Sequence, residues 1–262
     1  MINIYFLIAT LTVSLVLGLN KIQSEAMNIK RDSVEMVLVE ADDFLMGSKP
    51  NEGRPDERPQ RNIFIDSYSM DIHEVSNERY LKFIKDTERK EPPNSYGKEL
   101  LSKEPGVENL PVVQVTWYDA VDYCRWAGKR LPTEAEWEKA ARGENGNAYP
   151  WGSKLLSNKS VNFDRNWDGI KTLWPVDEHD EASSAYGIKN MAGNVREWVA
   201  DWYAPDYYQN APIKNPSGPQ TGILKVIKGG SWHSFKSDIR SASRGKGGFA
   251  LKTDGIGFRC AK

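Results

Sequence analysis

The residues of this 262-residue chain best equipped for chemistry are few: His73, His179 and His233, with two cysteines, Cys124 and Cys260. Two histidines and one carboxylate make a facial ligand set for non-haem iron, and His179, His233 and Asp238 supply those residue types. None of the three histidines sits in a metal-motif spacing, so polar surface or satisfied core groups are the competing reading, and His73, inside the strand-like segment DIHEV, reads as structural. The chain carries no glycine-rich phosphate loop, no zinc spacing and no Ser/His/Asp signature. The aromatic cluster Trp198, Trp202, Tyr203, Tyr207 and Tyr208 offers a ligand groove. Within it Trp198 and Trp202, four residues apart, read as core, whereas Tyr207 and Tyr208 fall in a loop and are the contact candidates.

These residues need elements to position them. Ser76 is an N-cap for a helix over 77–86 that turns Tyr80, Phe83 and Ile84 to one face. Thr116 with Asp119 starts a helix over 117–127 that stops at Gly128, and Thr133 with Glu136 forms a capping box ahead of EWEKAARG, where Ala135, Trp137 and Ala141 face inward. Residues 36–46 read as one strand ended by Gly47-Ser48, and the pieces IFID and YSMDIHEV as two more. The run NEGRPDERPQR reads as a solvated loop, residues 87–110 as surface, and the chain beyond Gly143 as irregular through Trp174.

Composition bounds the class. There are 35 Lys and Arg against 36 Asp and Glu, a formal net charge of −1, so no broad basic field exists and nucleic acid is not expected as a partner. Mean hydropathy is −0.60, yet the chain holds 9 Trp, 11 Tyr, 21 Gly and 14 Pro, the profile of a loop-rich domain packed on aromatics. Residues 4–19 are apolar and uncharged with Lys21 just beyond, which reads as a signal peptide over 1–26 or an N-terminal membrane anchor. No cysteine follows that run, which excludes a lipoprotein anchor. Residues 21–33 read as a polar lead-in and 33–262 as one domain, expected to be exported, to the periplasm, with secretion or membrane anchoring as alternatives.

Several strings occur in a fixed order: GKRLPTEAEWEKAARG (128–143), YPWG (149–152), YGIKNMAGNVREWVADWY (186–203), KGGSW (228–232) and GIGFRCA (255–261). With MVLVEADDFLMGS and DIHEVSNERYLKFI upstream, they cover nearly all of residues 33–262. On these motifs the chain resembles the formylglycine-generating enzyme, or sulfatase-modifying factor, family. The resemblance implies an α+β fold, similar to C-type lectins and poor in regular secondary structure.

It also implies sites. A structural Ca²⁺ would be held by Asn190, Gly193, Val195 and Glu197, and a second by Asn162, Phe163, Asp168 and Ile170; amide, carbonyl and carboxylate groups are the hard oxygens this ion takes, although Asn and Asp also simply make turns. Cys124 and Cys260 match a structural disulfide of the family, against the alternative of two buried thiols; a second family disulfide is missing because Ala141 stands at its first cysteine. The family oxidase uses two cysteines that bind Cu(I). Here Ser234 and Ile239 occupy those positions and Arg196 replaces an active-site tryptophan, leaving Ser231 as the matching central polar residue, so no copper is expected. The candidate pocket is Ser231, His233, Ser234 and Arg196. Two classes of function follow: an exported accessory module that binds or helps mature a partner protein, as relatives linked to nitrite reductase or cell-surface assembly do, or an oxidoreductase of altered chemistry acting on a periplasmic protein or small metabolite, as a relative in pyoverdine maturation suggests.

Overall fold

The computed structural model describes Asp32 and residues 34–95, 97–178 and 180–262; the N-terminal apolar segment and His179 lie outside the described residues. The segment 36–46, read as one strand, is two. Strand β1 (Met36–Val39) and β2 (Asp42–Met46) part at Glu40-Ala41 and enter different sheets, β1 antiparallel to β4 (Tyr68–Asp71) and β2 antiparallel to β3 (Arg61–Ile65). The alternation that suggested continuity holds within each half, where Val39, Phe44 and Met46 point to the core.

Helix α1 (Asn77–Thr87), α2 (Trp117–Trp126) and α3 (Glu134–Arg142) start where the capping residues place them. In α2 the Asp119 N–H donates to Thr116 Oγ1 at 3.2 Å while the Thr116 N–H donates to Asp119 Oδ2 at 2.9 Å. The same reciprocal pair closes on Thr133 and Glu136, at 3.2 and 2.8 Å. Each cap satisfies amides that the first helical turn leaves without partners.

A four-stranded sheet of order β7-β6-β5-β8 carries the site: β5 (Arg196–Trp202), β6 (Leu224–Lys228), β7 (Gly245–Gly248) and β8 (Ile256–Gly257), with β8 parallel to β5 and the other pairs antiparallel. The stretch WVADWY is therefore strand, not helix. Trp198 is core all the same, and a register shift between it and Trp202 leaves Trp202 half-buried against Trp117. One apolar cluster packs α1 and α2 through Tyr80, Phe83, Tyr123 and Phe258; a second joins α3 to the β1–β4 region through Trp137, Phe44 and Ile63; a third gathers Tyr149, Phe163 and Ile239.

Two charged stretches are less solvated than their composition predicts. Asp32, from the polar lead-in, is buried, its carboxylate held by Arg79 Nε at 2.8 Å and by Lys129 Nζ at 2.8 Å. Glu57, from the charged loop, is fully buried and accepts from Arg240 Nη2 at 2.9 Å and Ser48 Oγ at 2.8 Å. The physical reason is the same for both: burial of a carboxylate is tolerated where cations and hydroxyls of distant segments meet it.

Candidate functional site

The four pocket residues, drawn from two separate motifs, meet in space. After β6 the chain turns at Gly229 and Gly230, whose φ values of +89° and +70° favour glycine, into a tight turn in which the Ser234 N–H donates to the Ser231 carbonyl at 2.9 Å. Ser234 Oγ accepts from the Ser231 N–H at 2.9 Å and from Arg196 Nη2, reaching over from β5, at 3.1 Å. Ser231 Oγ lies 3.2 Å from His233 Nδ1 and 3.3 Å from Ser234 Oγ. Both serines are buried, at 0% and 2% exposure, so their hydroxyls serve this internal network rather than solvent. Burial, together with the charge of Arg196, lowers the His233 pKa although Asp254 opposes the shift, so the ring is neutral at neutral pH and can accept from Ser231.

Ile239 closes the other side. It is fully buried in the third apolar cluster, and a Cβ built on Gly230 would stand 2.8 Å from its Cγ2. Ser234 and Ile239, which the resemblance sets at the oxidase's thiolate positions, are thus a hydroxyl already bonded by two donors and an aliphatic side chain packed on main chain. These residues do not fit Cu(I), which takes soft sulfur ligands. The chain's two cysteines are not available either: Cys124 and Cys260 form a disulfide, their Cα atoms 5.7 Å apart, within the main core. Among the described residues no group of three or more His, Cys, Asp or Glu is placed to hold a metal ion, and His179, named in the iron reading, lies outside them.

The two loops that the resemblance marks for calcium lie side by side. The Asn194 N–H donates to the Asn162 carbonyl at 2.8 Å, Asn162 Nδ2 donates to Asn194 Oδ1 at 3.0 Å, and a Cβ on Gly193 would stand 2.4 Å from the Asn162 carbonyl oxygen. Two buried oxygens here, Asn162 Oδ1 and Glu74 Oε1, have no hydrogen-bond partner in the structure, and a hard cation would satisfy each. These two oxygens are of the type Ca²⁺ takes, and one of them belongs to a residue outside the sequence-named set: Glu74, which accepts from Asn190 and Asn194 through Oε2 at 3.0 and 2.9 Å. Burial and the neighbouring Glu197 push its pKa up to about 8. Glu197 is already engaged, accepting from Arg259 Nη2 at 2.7 Å, Arg259 Nε at 2.8 Å and Trp137 Nε1 at 2.8 Å. Asp168 and Ile170 stand exposed on a bend opposite each other.

The aromatic contact candidates resolve differently. Tyr208 begins no exposed loop: it sits in a short helix, α4 (Tyr207–Asn210), is buried, and its hydroxyl lies 3.0 Å from Glu134 Oε1 and 3.2 Å from Glu138 Oε2. Tyr207 is half-buried, and its hydroxyl accepts the Gly218 N–H at 3.0 Å. Glu134 and Glu138 are what sequence reasoning missed. They lie on the polar face of α3 yet are fully buried by cations from outside the helix, Arg244 Nε at 2.7 Å from Glu134 and Lys228 Nζ at 3.1 Å from Glu138.

An α+β domain with a small mixed sheet, long ordered loops and this polar cluster after a Gly-Gly turn has the architecture of the sulfatase-modifying factors. The chain belongs to that family: the sulfatase-modifying factor enzyme 1-like domain matches residues 23–262. It is 37% identical over 245 residues to the serine/threonine-protein kinase pkn1 of Chlamydia caviae, covering 87% of this chain but only 38% of the length of that relative. It is 31% identical over 284 residues to the formylglycine-generating enzyme of Streptomyces coelicolor, covering 88% of this chain and 90% of the other. The solved structure of PvdO from Pseudomonas aeruginosa superposes with a TM-score of 0.72 at 25% identity, over 87% of this chain and 94% of that one.

Proposed function

We propose that this chain is an exported formylglycine-generating-enzyme-like module that binds or helps mature a partner protein and does not carry out copper-dependent formylglycine formation. One observation carries the reading: Ser234 and Ile239, the residues the resemblance sets at the family's thiolate positions, are a hydroxyl bonded by Ser231 and Arg196 and a side chain sealed in an apolar cluster. Neither offers a soft sulfur donor, and the covalent pairing of Cys124 with Cys260 leaves no free thiol to substitute. The apolar segment over residues 4–19 and the disulfide support export, since such bonds persist in oxidising compartments. Ca²⁺ enters as a structural ion, tying the loop around Asn190 to that around Asn162; nucleic acid has no part in the reading, given a net charge of −1. The test is a Cu(I) competition against a chromophoric chelator. The account expects no stoichiometric transfer to the protein, while a Ser234→Cys/Ile239→Cys variant gains thiol ligands and takes up the ion more strongly. Stoichiometric Cu(I) binding by the parent at the affinity of that variant overturns the reading.

A further inference from the structure

Beside the Ser231–Ser234 turn opens a cavity of about 120 Å³, lined by Arg54, Arg196, Gly229, Gly230, Asp238 and Arg244 among others. At roughly 30 Å³ per water it holds a few waters, or one group the size of a carboxylate or phosphate. Most charges around it cancel in pairs. Arg244 is bidentate to Glu134 at 2.7 and 3.0 Å, Arg54 contacts Asp238, Arg142 pairs with Glu138 at 2.9 Å, and Arg240 with Glu57 at 2.9 Å. Asp56 lies beyond Arg244 and accepts from the Tyr203 hydroxyl at 2.7 Å, and Asp201 is held mostly protonated at neutral pH by burial and Glu134. Two cations have less than a carboxylate each. Lys228 shares the carboxylate of Glu138, and Arg196 shares the field of Asp238 with Arg54; among the described residues the Arg196 guanidinium has Ser234 Oγ as its one hydrogen-bond partner.

A guanidinium carries five N–H donors in a planar fork, so a half-buried one that uses a single donor is poised for a bidentate acceptor. Arg54, nearly half exposed and also donating to the Arg244 carbonyl at 3.2 Å, stands at the same cavity wall, and the Gly229-Gly230 backbone presents no side chain to obstruct an incoming group. We propose that this cavity binds an oxyanion, a carboxylate or phosphate-type group, gripped by Arg196 and closed over by Arg54. A shallower depression lined by Pro55, Tyr203 and Pro205 shares Arg54, Arg244 and Gly245 with the cavity, so the anion can be borne by a larger ligand such as an acidic peptide side chain. The inference rests on the reading of this site as a binding site, and names its ligand class.

The experiment is calorimetric titration of the oxidised full chain with sodium phosphate and, separately, with N-acetyl-aspartate amide, each against sodium chloride at matched ionic strength. The expected result is saturable one-site binding of at least one of the two, weakened tenfold or more in Arg196→Gln and severalfold in Arg54→Gln, with Lys214→Gln, on a lysine that pairs with Asp66, unchanged. Preference for phosphate identifies a free or esterified tetrahedral anion, and preference for the aspartate amide a peptide carboxylate. Should Arg196→Gln melt too low to titrate, Arg196→Lys keeps the charge without the fork and is expected to lose affinity as well. Heats no different from chloride, or equal binding by parent and Arg196 variants, overturn the proposal. That failure leaves the absence of copper chemistry standing, whereas copper-dependent turnover would remove the reading of the site even if phosphate bound.

Discussion

Glu197 is a Ca²⁺ ligand by resemblance and a buried ion-pair partner by geometry, and Glu197→Gln separates the two roles. If the carboxylate served only calcium, the variant would melt like the parent in EDTA and lose the calcium-induced rise. The geometry predicts the opposite emphasis. Arg259 is fully buried, and Glu197 meets it with both oxygens at 2.7 and 2.8 Å, while Trp137 Nε1 uses a further lone pair at 2.8 Å. Replacing the carboxylate leaves a guanidinium in the core without its counter-charge, a change that costs about 3–5 kcal/mol. Glu74 moderates this loss. Its own pKa is held at about 8 in part by Glu197, and once that charge is gone it ionises more readily and faces Arg259, which sets the expectation at the lower end, about 3 kcal/mol. For a domain of this size that is roughly 6–12 °C in melting temperature. The assay is a pair of thermal melts in EDTA and in excess calcium. A Glu197→Gln protein that melts within about 2 °C of the parent in EDTA refutes the ion-pair assignment.

Three further outcomes follow from the same structure. Glu74→Gln keeps the side-chain volume but removes the charge that calcium would meet; its melting temperature in EDTA is expected at or above the parent's, and the calcium-induced rise, about 2.7 kcal/mol at a hundred times the dissociation constant, is expected to shrink. An unchanged calcium response removes Glu74 from the site. Cys124→Ala opens a loop spanning 136 residues, worth about 5 kcal/mol in the chain-entropy account. Its melting point should fall by roughly 10–20 °C, and two reactive thiols in denatured, unreduced parent protein would contradict the bridge. Asp32, whose burial is outweighed by Arg79 and Lys129, has its pKa lowered to about 2, so it stabilises the folded chain above pH ~4 and that contribution, about 2 kcal/mol, is lost as pH falls toward 2. Asp32→Asn should flatten this acid limb of a stability-against-pH curve; an identical limb in the variant would show that Asp32 is not its source.

Helix starts were the most legible part of the fold because they are local: Thr116 with Asp119 and Thr133 with Glu136 announce their caps within four residues. The four pocket residues and the disulfide came from family motifs, and the structure brings each set together. What could not be read was polar burial. Glu134 and Glu138 look like a solvent face because the one local partner, Arg142 four residues after Glu138, is what an exposed helix face would also show; the cations that bury them, Arg244 and Lys228, arrive from 110 and 90 residues away. Glu57 and Asp32 were misread as solvated for the same reason, with Arg240 and Lys129 as their distant partners. The single strand assigned to 36–46 failed because a period-two pattern does not record where a strand changes sheet. Glu74 escaped notice since a lone glutamate at the end of a strand-like segment has no spacing that marks it as facing Asn190, 116 residues on.

The claim on which the rest depends is that the fold persists here without the family's oxidative chemistry. Its most direct measurement is mass spectrometry of a Cys-x-Pro-x-Arg peptide after incubation with the folded, oxidised protein, Cu(I), a thiol reductant and oxygen, beside an active formylglycine-generating enzyme. The account predicts unmodified cysteine with this protein, because Ser234 and Ile239 supply no thiolate; conversion of that cysteine to the aldehyde at a rate comparable to the active enzyme would contradict it.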